Sequence, residues 1–329
     1  MDTMVDVDGD ETTGGAVVSG EEEGRRGLIL GAAAYSMWGI FPIYFHLLSP
    51  AGSLEILGQR IVWSMVFCIL AWLVIRDVGW IRDLLRSPRR LALLTIAAYI
   101  LAINWGVYIY AVVADNVVEA SLGYFINPLV LVVMGVLLLQ ERLRPLQWLA
   151  VGLGTVAVVI MAVDYGRPPW IALTLAFSFA IYGFIKKLVG GQIGALESMT
   201  TETAVLAPLA LALVVWLEVS GRGTFTQDAP LHGLMLIGTG VITPLPLICF
   251  AAAARRVPLT TMGLLQFVAP VLQLVCGVLI FGEHVPLVRW IGFGIVWLAL
   301  VALTVDSVRH IRSRSRLAQV EMAEAGAAS

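Results

Sequence analysis

Ten runs of predominantly apolar residues follow one another with little between them. Each approaches the roughly 20 residues that an α-helix needs to cross a bilayer. They are Leu28–Leu48, Leu57–Ile75, Leu91–Val113, Ala120–Leu139, Leu146–Val163, Trp170–Ile185, Ser198–Leu217, Leu231–Ala253, Leu259–Phe281 and Leu287–Val305. In hydrocarbon every backbone N–H and C=O must be satisfied within the protein, so only helices or a closed barrel can span it. Runs of this length predict helices, and the fold class is an all-α integral membrane protein with ten transmembrane helices. Only 13% of the residues are charged, against about 25% for a soluble domain. The longest loops, Arg76–Arg90 and Glu218–Pro230, are too short for a separate catalytic domain.

The second constraint is an internal repeat at an offset of 142 residues. Pro128, Gly135, Glu141, Trp148, Gly152 and Asp164 recur as Pro270, Gly277, Glu283, Trp290, Gly294 and Asp306, and about fourteen of the 48 positions from Val117 to Asp164 match their partners. Each half holds five spans. Five is odd, so the second half enters the membrane from the opposite side and the repeats are inverted. Inverted repeats related by an axis in the membrane plane are a common build for secondary transporters, with the substrate site near the midplane. The expected organisation is an acidic, disordered tail over 1–24, a first repeat over 25–166, a second over 167–308, and a basic, then Ala/Glu-rich tail over 309–329. The boundary falls at the Gly166-Arg167-Pro168-Pro169 turn.

Charge placement orients the bundle. Seventeen of the 21 Lys and Arg fall on the face that carries both termini, three (Arg167, Arg222, Arg289) fall on the other, and Arg60 lies within a span. By the positive-inside bias both termini are cytoplasmic, in a cell (inner) membrane. The first run is of full span length behind a long charged stretch, so it reads as an uncleaved anchor. Cys68, Cys249 and Cys276 lie inside spans and read as small apolar residues.

Polar residues within the spans are the candidates for function, because they are costly there. Ser121, Tyr124, Pro128, Leu131 and Gly135 share one face of the fourth span, and their partners Gly263, Gln266, Pro270, Gln273 and Gly277 share one face of the ninth. Such stripes either line a pathway or pack helices. Pro128 and Pro270 each remove a backbone donor, and a matched pair of broken helices would point to the binding site. Thr243, Pro244 and Pro246 suggest a break in the eighth span. Arg60 lies about five residues inside the second span, at a depth that allows pairing with Glu119. Its repeat partner Glu202 lies in the seventh span and can carry a coupled proton or offset Lys186. Asn104 sits mid-span beside Trp105 and Tyr108, where it either binds substrate or ties two helices. Asn127 precedes Pro128, where it can cap a broken backbone. Glu141 and Glu283 read as caps for the helices that follow them.

Other chemistries lack their motifs. Gly152-Leu-Gly154-Thr-Val-Ala157 imitates a dinucleotide fingerprint but has no strand before it. There is no phosphate-binding loop, no H-E-x-x-H and no G-x-S-x-G, and the four histidines are scattered. No cofactor, metal or nucleic-acid partner is called for.

The run Glu119-Ala-Ser-Leu-Gly-Tyr-Phe-Ile-Asn-Pro-Leu129, following Asn104-Trp105, resembles the RarD branch of the EamA-type transporters in the drug/metabolite transporter superfamily. Glu55-Ile-Leu-Gly-Gln-Arg-Ile-Val-Trp63 resembles the second span of the same branch. The resemblance implies two EamA repeats and a secondary transporter exporting small molecules such as metabolites or drugs. It raises Arg60, Asn104, Glu119, Tyr124 and Asn127 as site residues. The family often has Gly-Glu at both repeat ends; Gly282-Glu283 fits and Gln140-Glu141 departs. The expected function is therefore a carrier working by alternating access. Its partners are a small-molecule substrate, the lipid bilayer and protons as a coupling ion through Glu119 or Glu202. Arg60 would attract an anionic group or gate with Glu119, and Tyr124, Asn127 and Gln266 would contact substrate. The alternatives are a membrane-embedded enzyme acting on lipid, which would need clustered nucleophiles or ligands, and a structural or sensory membrane protein that moves no solute.

Overall fold

The computed structural model describes residues 11–140, 143–189, 193–226 and 229–327. The described residues are helical and contain no strand. Helices α1 (Glu11–His46), α2 (Ser53–Ile75), α4 (Pro88–Val113), α5 (Val117–Leu139), α6 (Pro145–Tyr165), α7 (Trp170–Val189) and α8 (Ala195–Val219) form spans one to seven, with the short α3 (Gly79–Leu85) in the loop after α2. Span eight is α9 (Pro230–Ile242) followed by α10 (Pro244–Ala254). Span nine is α11 (Leu259–Leu265), α12 (Val268–Val275) and a π-helical turn at Cys276–Ile280. Span ten lies in α13 (Leu287–Ala327). Among the described residues ten segments are long and apolar enough to cross a membrane, as the hydropathy pattern predicts.

Two local expectations differ from the structure and a third lies outside the described residues. The tail expected to be disordered over 1–24 is helical from Glu11 onward, while residues 1–10 lie outside the described part. Nucleation is the costly step in helix formation, and a span supplies the nucleus from which further turns propagate. The same holds for α13, which continues to Ala327. Second, the prolines do not give a matched pair of breaks. Span nine is interrupted at Gln266–Phe267, because the Pro270 ring opposes the carbonyl four residues earlier, that of Gln266. Pro128 sits in the same place in α5, yet α5 runs unbroken. There α7 holds the helix closely: the Gly123 backbone lies where a Cβ would meet the Ala172 carbonyl at 2.6 Å. Third, Glu141 falls outside the described residues, so its expected cap is not placed.

Span eight is interrupted at Thr243, where Pro244 and Pro246 withhold two donors from the helical ladder while the Thr243 backbone stays right-handed helical.

The packing follows the repeat. Helix α1 packs on α10 and α12, and its counterpart α7 packs on α4 and α5, while α2 pairs with α8 and α6 with α13. Two ion pairs fix the relative direction of the last couple. Asp164, ending α6, meets Arg289 at the start of α13 at 2.6 Å. Asp306, ending the tenth span, meets Arg144 at the start of α6 at 2.6 Å. The two aspartates are repeat partners, and each reaches the first turn of the other repeat's last span. The helices are therefore antiparallel and the repeats inverted.

Two four-span bundles face each other, one of α1, α2 and α9–α12, the other of α4, α5, α7 and α8. We term the face with the Arg76–Arg90 loop, Lys186 and Arg255 the basic face. On the opposite face, Phe45, Leu48, Ile56, Val112, Val117 and Leu175 join one apolar cluster that draws on both bundles. Toward the basic face the described residues of the bundles form separate clusters. One, with Leu94 and Ile185, belongs to α3, α4 and α7; the other, with Ala253 and Met262, belongs to α1, α10 and α11. Helix α2 reaches the other bundle at its end, where Trp72 meets the Trp80 ring at 5.2 Å and donates to Thr200 Oγ1 at 2.9 Å.

The end clamps make a quantitative prediction. A double-mutant cycle on Asp164→Asn and Arg289→Gln, read by unfolding in detergent, should give a coupling on the order of 1 kcal/mol. A coupling indistinguishable from zero would contradict the clamp.

Candidate functional site

Arg60 is buried, and its repeat partner is the acidic Glu202, so the repeat supplies no neutral precedent for it. Its Nε donates to Thr243 Oγ1 at 2.9 Å. Thr243 is the residue at the break of span eight, and its hydroxyl in turn donates to the Thr239 carbonyl. The guanidinium lies over the Trp105 ring, 4.0 Å from its centroid, with Phe45 and Phe41 at 5.6 and 5.9 Å. Such contacts attract a cation most when the pair is out of water. No carboxylate pairs with Arg60 among the described residues, and Nε makes its one recorded hydrogen bond there.

Two tyrosines stand within electrostatic range of the guanidinium, Tyr108 and Tyr124, and their rings meet edge to face at 5.8 Å. The Tyr108 hydroxyl is buried without a hydrogen-bond partner. Tyr124 donates only at 3.4 Å to Asn104 Oδ1. Asn104 Nδ2 is well used, donating to the Leu175 carbonyl at 3.1 Å and Ser178 Oγ at 2.9 Å. Asn104 thus ties α4 to α7 and presents its oxygen to Tyr124. These side chains come from α2, α4, α5 and span eight, and therefore from both bundles.

The other candidates are placed elsewhere. Asn127 does not cap the backbone near Pro128; its Nδ2 donates to the Ala176 carbonyl at 3.0 Å, joining α5 to α7. Gln273 does the equivalent in the other bundle, donating to the Trp38 carbonyl at 3.3 Å, while its Oε1 is buried without a partner. Gln266 occupies the interruption of span nine, half-buried. Pro128 and Pro270 mark the middles of their spans.

Glu119 does not meet Arg60. It pairs with Arg167 at 2.8 Å and accepts from the Ile171 backbone at 3.1 Å, which locks α5 to the start of α7. The hydrogen bond from Arg167 to Glu119 holds the guanidinium above its ordinary range. Glu202 offsets Lys186, at 2.9 Å, and accepts from Tyr182 and Ser198; Lys186 also donates to Ser198. Two carboxylates that pattern reasoning missed or misread seal the opposite face. Glu283 does not cap its following helix. It crosses to the other bundle and accepts from the Val117 and Val118 backbones at 2.6 and 3.1 Å. Burial raises its carboxyl above the usual range, and those two N–H groups oppose the rise. Glu55 accepts from the Thr224 and Phe225 backbones at 2.7 and 3.2 Å. Its position in the first turn of a span was the one available signal. No group of metal-ligating side chains occurs among the described residues. A groove of about 800 Å³ between α12 and α13 is lined by apolar side chains and Thr304, and no residue of the Arg60 cluster contributes to it.

These features define a multi-pass membrane protein in which two inverted five-helix repeats enclose a polar, aromatic-walled cluster. The chain belongs to the EamA-like transporter family, whose model matches residues 25–163 and again 168–305. It is 54% identical to Protein RarD of Streptomyces exfoliatus, over 90% of this chain and 94% of that one. It is 43% identical to the uncharacterized transporter PA0485 of Pseudomonas aeruginosa (88% and 96% covered), and 37% to Protein RarD of Escherichia coli K12 (89% and 98% covered). A crystal structure at 16% identity shares the fold, with a TM-score of 0.56 over 85% of this chain and 97% of the other. The protein is a membrane transporter.

Removing the Asn104 amide would leave Tyr124 and Ser178 without their shared partner. Asn104→Ala should destabilise the protein by about 1–3 kcal/mol, and Ser178→Ala by less, since Asn104 keeps the Leu175 carbonyl. Unfolding midpoints of the two variants in detergent test the order.

Proposed function

We propose that the protein is a secondary carrier that exports small molecules by alternating access, with substrate held at the Arg60 cluster. The observation that carries this reading is the asymmetry between the two faces. On the opposite face the bundles share one apolar cluster, sealed by the Glu283 carboxylate across the seam. Toward the basic face each bundle keeps an apolar cluster of its own, and Trp72 of α2, against Trp80 and Thr200, makes the contact between them. Inverted repeats make the mirror arrangement accessible at similar energy, so rocking one bundle on the other would close the basic face and open the opposite one. The Arg60 cluster lies between the bundles and faces each side in turn. The breaks in spans eight and nine supply hinges. The positive charge on one face supports an inner-membrane location with cytoplasmic termini, and this arrangement then opens to the cytoplasm, as an exporter does before loading.

Cross-linking the seam tests the reading. A Cβ at Gly277 would meet the Val118 side chain at 2.8 Å. In a background lacking the native cysteines, Val118→Cys with Gly277→Cys should therefore form a bridge on oxidation. Everted vesicles supplied with an isotope-labelled cell extract should accumulate at least one labelled metabolite. The oxidised double variant should lose that accumulation, and reductant should restore it. Accumulation that survives cross-linking, or none in the unmodified protein, would overturn the reading.

We further propose that Glu202 carries a coupled proton. It is buried and ion-paired with Lys186, so neutralising it frees a cation and loosens α7 from α8. Glu119, held by Arg167 and a backbone amide, is the less mobile carboxylate. Glu202→Gln should make accumulation independent of an imposed pH gradient; unaltered dependence would remove Glu202 from the coupling.

A further inference from the structure

We infer that the ligand taken at the Arg60 cluster is an organic monoanion with a flat apolar body, an aromatic monocarboxylate being the simplest form. The inference rests on the substrate site proposed above and adds its charge and shape.

The charge follows from what Arg60 lacks. A guanidinium carries five N–H donors in a rigid fork, and here Nε alone has a recorded partner, Thr243. Trp105 occupies one face of the plane. It stabilises the charge but accepts none of the in-plane hydrogen bonds. The intramembrane carboxylates Glu119 and Glu202 are engaged elsewhere, with Arg167 and Lys186. A buried cation of this kind is costly unless something neutralises it. One carboxylate matches the open edge of the fork, in the bidentate geometry that Arg favours. A neutral ligand leaves the cation uncompensated, a second cation adds repulsion, and a dianion buries one excess negative charge.

The surroundings add the rest. The Tyr108 hydroxyl is buried with no partner, and the Tyr124 hydroxyl has only its long bond to Asn104. Two phenolic donors within electrostatic range of a guanidinium suit an anion with oxygen acceptors. The walls are rings, Phe41, Phe45 and Trp105 with the two tyrosines. Such walls favour a flat apolar body, which stacks on them at little conformational cost.

Thermal unfolding of the purified full-length protein can read this with four probes built on one benzene ring: benzoate, benzamide, benzylamine and terephthalate. Ligands that bind the folded state raise its midpoint. Benzoate should raise it at millimolar concentration, and the other three should raise it little. Arg60→Gln should abolish the shift. Should that variant fail to fold, Tyr108→Phe serves instead, because the lost hydroxyl has no partner in the protein. It should leave the ligand-free midpoint in place and weaken benzoate about tenfold, the value of one hydrogen bond to a charged group. Equal shifts from benzamide or benzylamine, or benzoate binding that Tyr108→Phe and Arg60→Gln leave unchanged, would overturn the inference. The vesicle assay separates the two levels. Accumulated metabolites that are monoanions support the inference. Neutral or cationic ones overturn it and leave the transport reading standing, and no accumulation overturns both.

Discussion

A charged guanidinium buried in the hydrocarbon layer must be compensated, and the architecture around Arg60 is organised by that demand. An arginine at the centre of a span costs about 2.5–3.5 kcal/mol even after relaxation. The protein meets part of this with the hydroxyl of Thr243 and the ring of Trp105. Thr243 stands where Pro244 and Pro246 interrupt the hydrogen-bond ladder of span eight. Trp105 is in reach because Asn104, one residue earlier, anchors α4 to α7. One unbalanced charge thus connects the broken helix, the amide network and the aromatic walls.

The repeat provides the frame, and departures from it provide the site. Symmetry governs what holds the bundle together. The aspartate clamps on α6 and α13 are repeat partners, and Asn127 and Gln273 tie their spans to the first helix of the other repeat in the same manner, one turn apart. Where the halves differ, chemistry appears. Arg60 stands against Glu202, Tyr124 against Gln266, and the continuous α5 against the interrupted ninth span. The two faces differ as well, one with a shared apolar seal and the other with separate clusters bridged at Trp72.

The span number, the inversion and the interruption at Thr243 were legible in the sequence, because hydropathy, odd span count and closely spaced prolines act locally along the chain. The pairing of charges was not. Depth along a helix fixes one coordinate of a side chain, and the choice of partner needs the lateral neighbours as well. Glu119 and Arg60 lie at compatible depths, yet α5 packs on α7, so Glu119 finds Arg167 and the Ile171 amide. Glu283 looked like a local cap for the same reason, while the fold brings the Val117 and Val118 amides of a distant span closer. Pro128 also misled, because a proline breaks a helix only where packing lets the turn open; against Ala172 and Ala176 it does not.

The central claim is that two inverted bundles rock about the Arg60 cluster, closing one face as the other opens. Pulsed electron–electron resonance on two spin-label pairs tests it most directly. Leu188 and Leu264 are exposed on different bundles toward the basic face, and Val113 and Leu231 are exposed on different bundles at the opposite face. In nanodiscs the account predicts two populations for each pair, with conditions that lengthen one distance shortening the other. Two fixed distances, or two that lengthen together, would contradict it.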